Sequence, residues 1–232
     1  MEEVFKEALN LLEKGQQFVI ATVVGTKGST PQKPGAKLLV REDGTGVGTL
    51  GGGCVEGDIW FAAKMLLKEG GGPTLTDYEL NEDIAAREGL VCGGTMYFLI
   101  DPVLDSRPAL EPIRNIVDAY GGSASSGQAT LLKPAAGNGK TGDKLYIGND
   151  GVARGTLGDV ERDHEVTTIL RDLIDYGRVK SVITKDGSEV FLEGYTAPAS
   201  VVIAGGGHIG KSIAPLVTML GMRLSVVDDR PE

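Results

Sequence analysis

KLLVREDGTGVGTLG, Lys37 to Gly51, returns as KLYIGNDGVARGTLG, Lys144 to Gly158. At a constant offset of 107 residues, Lys, Leu, Asp, Gly, Gly, Thr, Leu and Gly coincide. Each copy places apolar residues on both sides of an Asp-Gly pair, which reads as two strands joined by a tight turn. The surroundings repeat as well. Glu2 to Lys14 has Val4, Phe5, Ala8, Leu11 and Leu12 at helical spacing, and Ala109 to Tyr120 is its helix-like counterpart. Phe18 to Val24 and the ATLL run at Ala129 read as buried strands. The FAAKMLLKEG stretch and Glu165 to Tyr176 read as the helices after each hairpin. Thr74–Leu80 with Thr95–Ile100, and Val179–Thr184 with Glu189–Leu192, close the two units as strands. A shared order of elements on top of a shared motif points to internal duplication. The expected fold class is α/β, with a duplicated mixed-sheet N-terminal region: copy one over residues 1–105 and copy two over residues 106–196.

The copies differ where chemistry is concentrated. Copy one continues its GTLG into Gly52-Gly53-Cys54-Val55-Glu56-Gly57-Asp58, whereas copy two has Asp159-Val160-Glu161. Copy two also joins its last two strands by the short turn Lys185–Ser188, so it has no counterpart of the segment that holds Cys92, Gly93 and Gly94. Both cysteines therefore lie in glycine-rich loops of copy one. Gly51, Gly52 and Gly53 permit positive φ and close ligand approach. A helix starting just beyond them aims N–H groups and the positive dipole end at the loop, which suits an anion or a thiolate. A tight turn holding a small buried cysteine is the plainer reading. Glu56 can orient or deprotonate Cys54, or it is a first-turn acid on the helix dipole. Ser29 and Thr30, in the loop Gly25–Gly35, can donate to an anion. Lys37 can balance charge there, but Lys144 repeats it in the copy without cysteines, which favours a solvated strand lysine. Trp60 and His164 carry no chemical signal.

The last segment, residues 197–232, changes character. A buried-strand run, ASVVIA, meets Gly205-Gly206-Gly207-His208-Ile209-Gly210, then a helix pattern to Leu220 and a strand ending at Asp228. Strand, glycine turn, helix, strand and terminal acid form a dinucleotide-binding fingerprint. Gly205, Gly207 and Gly210 would admit a pyrophosphate, His208 would face a phosphate or simply start the helix, and Asp228 would take ribose hydroxyls, favouring an NAD-like ligand. This is the truncated start of a Rossmann-type βαβ arm, since a whole doubly wound domain needs roughly 100 residues more. Its apolar strands need covering, so the chain is expected to form a homo-oligomer, exchange of arms being one route.

Composition narrows the classes. A hydrophobic content of 41% supports a real core, and a net charge of −9 with a pI near 4.9 argues against nucleic acid or anionic membrane as partner. MEEVFKEALN does not read as a signal peptide, no apolar run approaches a membrane span, and two cysteines make no disulfide scaffold, so a reducing cytoplasm is expected.

GSTPQKPGAKLL, GTLGGGCVEGDI, GLVCGG, and VVIAGGGHIG with VVDDRPE together resemble the XdhC/CoxI family, maturation proteins for molybdenum hydroxylases such as xanthine dehydrogenase. The resemblance implies an accessory protein, not itself an enzyme. It would bind the molybdenum cofactor, protect it while a cysteine desulfurase supplies a terminal sulfur, and deliver it to a client molybdenum hydroxylase. Cys54 would be a soft ligand for molybdenum or a sulfur relay, with Cys92 beside it. Two other classes stand beside this one: a thiol-dependent, NAD-linked oxidoreductase, and a regulatory or scaffold protein with inert cysteines.

Overall fold

The computed structural model describes residues 1–80, 93–135 and 138–229. Two compact units divide the chain, residues 1–196 and 197–232.

In the first unit each half is built in the same order. The first half runs α1 (Glu2–Glu13), β1 (Phe18–Gly28), β2 (Lys37–Arg41), β3 (Gly46–Gly48), α2 (Gly53–Glu69), β4 (Thr74–Glu79) and β5 (Gly94–Val103). The second runs α3 (Ser106–Gly121), β6 (Ser126–Lys133), β7 (Lys144–Ile147), β8 (Ala153–Gly155), α4 (Val160–Ile174), β9 (Val179–Ile183) and β10 (Glu189–Tyr195). The two sheets have the same strand order, β3-β2-β1-β5-β4 and β8-β7-β6-β10-β9.

Sequence reasoning expected mixed sheets. Every pairing within the two sheets is antiparallel instead. The reason is the crossover. The helix after each hairpin carries the chain from one edge of the sheet to the other, so the strands it links run in the same direction but are never neighbours. β1 also outruns its expected end. After a bulge between Val23 and Gly25 it continues as Gly25–Gly28 against Tyr97–Gly94, so the start of the glycine-rich loop is strand.

Period-two alternation sorts each sheet into two faces. In the first sheet Val19, Ala21, Val23, Leu38, Val40, Met96, Phe98 and Ile100 face α2, which buries Val55, Ile59 and Ala63 against them. In the second, Ala129, Leu131, Leu145, Ile147, Val190 and Leu192 meet Val166, Leu170 and Ile174 of α4. Each Val, Leu, Ile, Phe or Met side chain among these, fully buried, stabilises the fold by about 1.5–3 kcal/mol. The opposite faces look inward at each other, with Val24 and Leu99 packed on Leu132 and Phe191. Helices α1 and α3 pair and fill the rest of that space through Val4, Phe5, Ala8, Leu11, Leu12, Ile113, Ile116 and Ala119.

Lys37 departs from its expected role as a solvated lysine. It is 5% exposed, and its ammonium lies 2.8 Å from Glu193 Oε1 on the other half's last strand and donates to Thr22 Oγ1 at 3.0 Å. Its repeat mate, Lys144, reaches back to Asp101 Oδ2 at 2.5 Å. Asp101 pairs with Ile20 on β1 and Glu193 pairs with Gln128 on β6, so the two acids hold equivalent places. The ion pairs are reciprocal: each half gives a lysine to the other's acid.

The second unit is β11 (Ser200–Ala204), α5 (His208–Met219) and β12 (Arg223–Val227), with the two strands parallel and adjacent. It is a βαβ unit.

Candidate functional site

The loop between β3 and α2 begins at Thr49, whose N–H donates to Lys37 O at 3.1 Å. Gly51, Gly52 and Gly53 have φ of 113°, 76° and 66°, a run that side-chain-bearing residues rarely adopt. The helix starts earlier than the sequence suggests, at Gly53, so Cys54 is already in its first turn and is exposed. Glu56 turns back over the loop. Its Oε2 accepts from Thr49 Oγ1 at 2.6 Å, Leu50 N at 2.7 Å and Gly52 N at 3.2 Å. Partial burial pushes its carboxyl up, but these bonds outweigh burial and hold it below the usual carboxylate range.

Copy two repeats this clamp without the cysteine. Asp163 accepts from Thr156 Oγ1 at 2.6 Å and Leu157 N at 2.7 Å. Glu56 and Asp163 therefore share an architectural task, and Glu56, stabilised in its charged form, is a weak proton acceptor. Sequence reasoning missed this, although the repeat that pairs Thr49 with Thr156 also pairs Glu56 with Asp163. The halves part company one step earlier. Asp159 caps α4, its Oδ1 accepting from Glu161 N and Arg162 N, both at 3.0 Å. The equivalent of Asp159 is Gly52, which caps α2 with no side chain. Asp186 adds a second closure in copy two. Its Oδ2 accepts from Arg162 Nη2 at 2.6 Å and Nε at 3.0 Å, tying the β9–β10 turn to the start of α4.

The loop after β1 lies between two glycine segments of copy one. A β-carbon on Gly51 would stand 2.7 Å from Pro31 Cβ, and one on Gly94 would stand 2.6 Å from Ser29 O. A β-carbon on Gly28 would meet Gly93 O at 2.9 Å. Leu80 N donates to Gly94 O at 2.8 Å. Cys92 itself lies outside the described residues. The structure thus gathers Gly51, Gly52, Gly53, Cys54 and Glu56 into one loop, with Ser29, Gly93 and Gly94 along the neighbouring one. Among the described residues no group of three or more His, Cys, Asp or Glu is arranged to hold a metal ion.

The other sequence candidates meet in the second unit. Gly207 caps α5 and His208 is its first residue, exposed. Asp228 accepts a hydrogen bond from Gly206 N, and a β-carbon on Gly210 would collide with Gly205 O. Glycine turn and terminal acid therefore face each other.

Among the described residues, two like-built antiparallel halves carry an exposed thiol on a glycine-walled helix start, and known proteins share parts of this chain. Residues 11–79, the stretch that ends at β4, match the model of the XdhC and CoxI family. The chain is 38% identical over 107 residues to an uncharacterized Escherichia coli protein, YqeB, matching 46% of this chain and 19% of that one. It is 35% identical over 89 residues to a Bacillus subtilis protein described as a probable xanthine dehydrogenase subunit (38% and 27% covered). It is 27% identical over 120 residues to the Escherichia coli molybdenum cofactor insertion chaperone PaoD (49% and 35% covered). These matches span between 19% and 35% of the relatives' own lengths. The fold is that of a Bacillus halodurans protein described as a xanthine dehydrogenase, with a TM-score of 0.65 at 24% identity over 98% of this chain and 63% of the other. No helix among the described residues is long and apolar enough to cross a membrane.

Proposed function

We propose that this chain acts in the maturation of a xanthine dehydrogenase-type molybdenum hydroxylase. In this reading it holds the molybdenum cofactor at the Cys54 loop, where a cysteine desulfurase supplies the terminal sulfur, and passes the cofactor to the client enzyme. The observation that carries the reading is the exchange of Asp159 for Gly52 between the halves. Copy two closes its helix start with its own carboxylate and Arg162, while copy one offers a helix start with a glycine N-cap and no side-chain cap, a glycine backbone and one exposed thiol. Backbone N–H groups and the dipole suit an anionic phosphate tail, and a thiolate suits a soft metal or sulfur. Cys92, two residues before Gly94, which packs against Ser29, is proposed as the second thiol of the same site. A molybdopterin supplies the anionic tail and the soft, sulfur-rich end that such residues fit.

The βαβ unit is proposed as the start of a dinucleotide-binding domain, with Asp228 as its ribose acceptor. It motivates the second reading, a thiol-dependent NAD-linked oxidoreductase.

The test is anaerobic purification of the chain from molybdenum-replete cells, followed by metal and pterin analysis. Near-stoichiometric molybdenum and pterin are expected, and Cys54→Ala should lose them while keeping its melting temperature. The thiol is exposed, so its removal should change stability by no more than about 0.5 kcal/mol. Cofactor retained in full by Cys54→Ala, or NAD turnover by cofactor-free protein, overturns the reading.

A further inference from the structure

Among the described residues, strand β9 ends the second sheet and is bonded to β10 on one side only. Gly194 N donates to Arg178 O at 2.8 Å and Thr184 N donates to Ser188 O at 2.9 Å, both in the β9–β10 register. Bonded and non-bonded residues alternate along an antiparallel strand, so Arg178, Lys180, Val182 and Thr184 direct their backbone groups at β10. The N–H and C=O groups of Val179, Ser181 and Ile183 therefore point away from the sheet. Val179 is 39% exposed and Ile183 75%. Ser181 and Ile183 also line a groove of about 670 Å³ between the two sheets, with Leu75 and Tyr97 across from them. On the strand's other side Val182 packs into the core beneath α4, while Lys180 is exposed.

We propose that β9 binds an extended segment of a partner protein in which apolar and acidic residues alternate, added as a further strand to this sheet. Three observations select that partner. The first is the open backbone. Each outward residue offers an N–H donor and a C=O acceptor, and such main-chain bonds supply the affinity when a peptide adds to a sheet edge. The second is sidedness. Residues directly opposed on neighbouring strands share a face, so those opposite Val179 and Ile183 lie on the groove side and are apolar. Those opposite Lys180 lie on the α4 side, beside a cation. The third is charge. Tyr176 to Lys185 holds Arg178, Lys180 and Lys185 and no acid, in a chain of net charge −9. Arg178 lies over the Tyr176 ring at 4.6 Å, and no ion pair among the described residues includes any of the three cations. A lysine on an edge also disfavours pairing with the same edge of another copy. Two antiparallel copies of β9 centred on Ser181 would set Lys180 and its counterpart diagonally on one face. The charge that opposes a second copy is complementary to an acidic strand.

The probe is a fluorescein-labelled heptapeptide of alternating Glu and Val, titrated with the whole chain and followed by fluorescence anisotropy. Saturable binding is expected. The same peptide with Lys in place of Glu, and the Glu–Val peptide N-methylated at every amide, should each bind about tenfold or more weakly. Arg178→Glu combined with Lys180→Glu should reverse the preference, so that the Lys–Val peptide binds more tightly than the Glu–Val one. Both side chains are exposed, so this variant keeps the fold. Ile183→Pro removes an outward N–H and no bond to β10, and should weaken the Glu–Val peptide about tenfold or more. Should Ile183→Pro fail to fold, the charge reversal decides alone. Cys54→Ala should leave peptide affinity unchanged, which separates this surface from the cofactor loop. Absence of saturable binding, equal binding of the Lys–Val or N-methylated peptide, or an unreversed preference in the charge variant overturns the proposal. So does a dimer of the natural chain that Ile183→Pro abolishes, because the edge then serves a second copy.

Discussion

Glu56 is the residue on which the Cys54 loop hangs. Three donors, Thr49 Oγ1, Leu50 N and Gly52 N, share one carboxylate oxygen. Glu56→Ala strands them and should destabilise the first unit by about 1–3 kcal/mol, the range for unmade bonds at partly buried groups. Asp163→Ala, which strands Thr156 and Leu157, should do the same to a similar extent. Denaturant titration of both variants checks this; a silent Glu56→Ala would leave the acid available for thiol chemistry instead. The pH dependence has a defined sign. The Glu56 pKa is lowered in the folded chain, so its contribution is complete above the unfolded value of about 4.3 and is lost as pH falls through the folded one. The melting gap between the natural chain and Glu56→Gln should therefore be constant from about pH 6 to 8 and close below about pH 4.

At the level of elements, the strands β2, β5, β7 and β10 are tied across the halves by two ion pairs of different worth. Lys37 and Glu193 are 4% and 3% exposed in their side chains, Lys144 and Asp101 37% and 14%. Lys37→Met leaves the Glu193 charge buried and uncompensated and should cost about 3–5 kcal/mol, whereas Lys37→Met with Glu193→Leu should recover most of it. Lys144→Met should cost about 1 kcal/mol or less, because solvent screens that pair. Chemical denaturation of the three variants checks the order. Equal effects from Lys37→Met and Lys144→Met would contradict it.

At the scale of the whole molecule, the second unit is a single βαβ with apolar surface to spare. Ile209, Met219 and Leu220 are at least 70% exposed, and Val202 and Val227 more than 60%. Such a face is expected to drive self-association of the 232-residue chain. Light scattering at micromolar concentration should report a dimer or larger species, and a clean monomer would contradict this. If the unit is the start of a dinucleotide-binding domain, as proposed, residues 197–232 form only part of such a crevice, and calorimetry on residues 1–232 should find no NAD binding tighter than about 10 μM, near −7 kcal/mol.

The repeat of Lys37–Gly51 at Lys144–Gly158 was enough to expose two like-built halves, because hairpins and amphipathic helices are written in local spacing. The glycine run at Cys54 and the turn before His208 were legible for the same reason: backbone freedom is a property of the residue itself. Strand neighbours were not legible. Where a crossover lands depends on which edge α2 and α4 reach, and that made the sheets antiparallel throughout. Nor was the fate of Lys37. A lysine repeated in both copies looks like a surface residue along the chain, yet the facing of the two sheets buries it against an acid 156 positions away. Partnership between charges is decided by the folded surfaces they share, and only the tertiary structure brings those surfaces together.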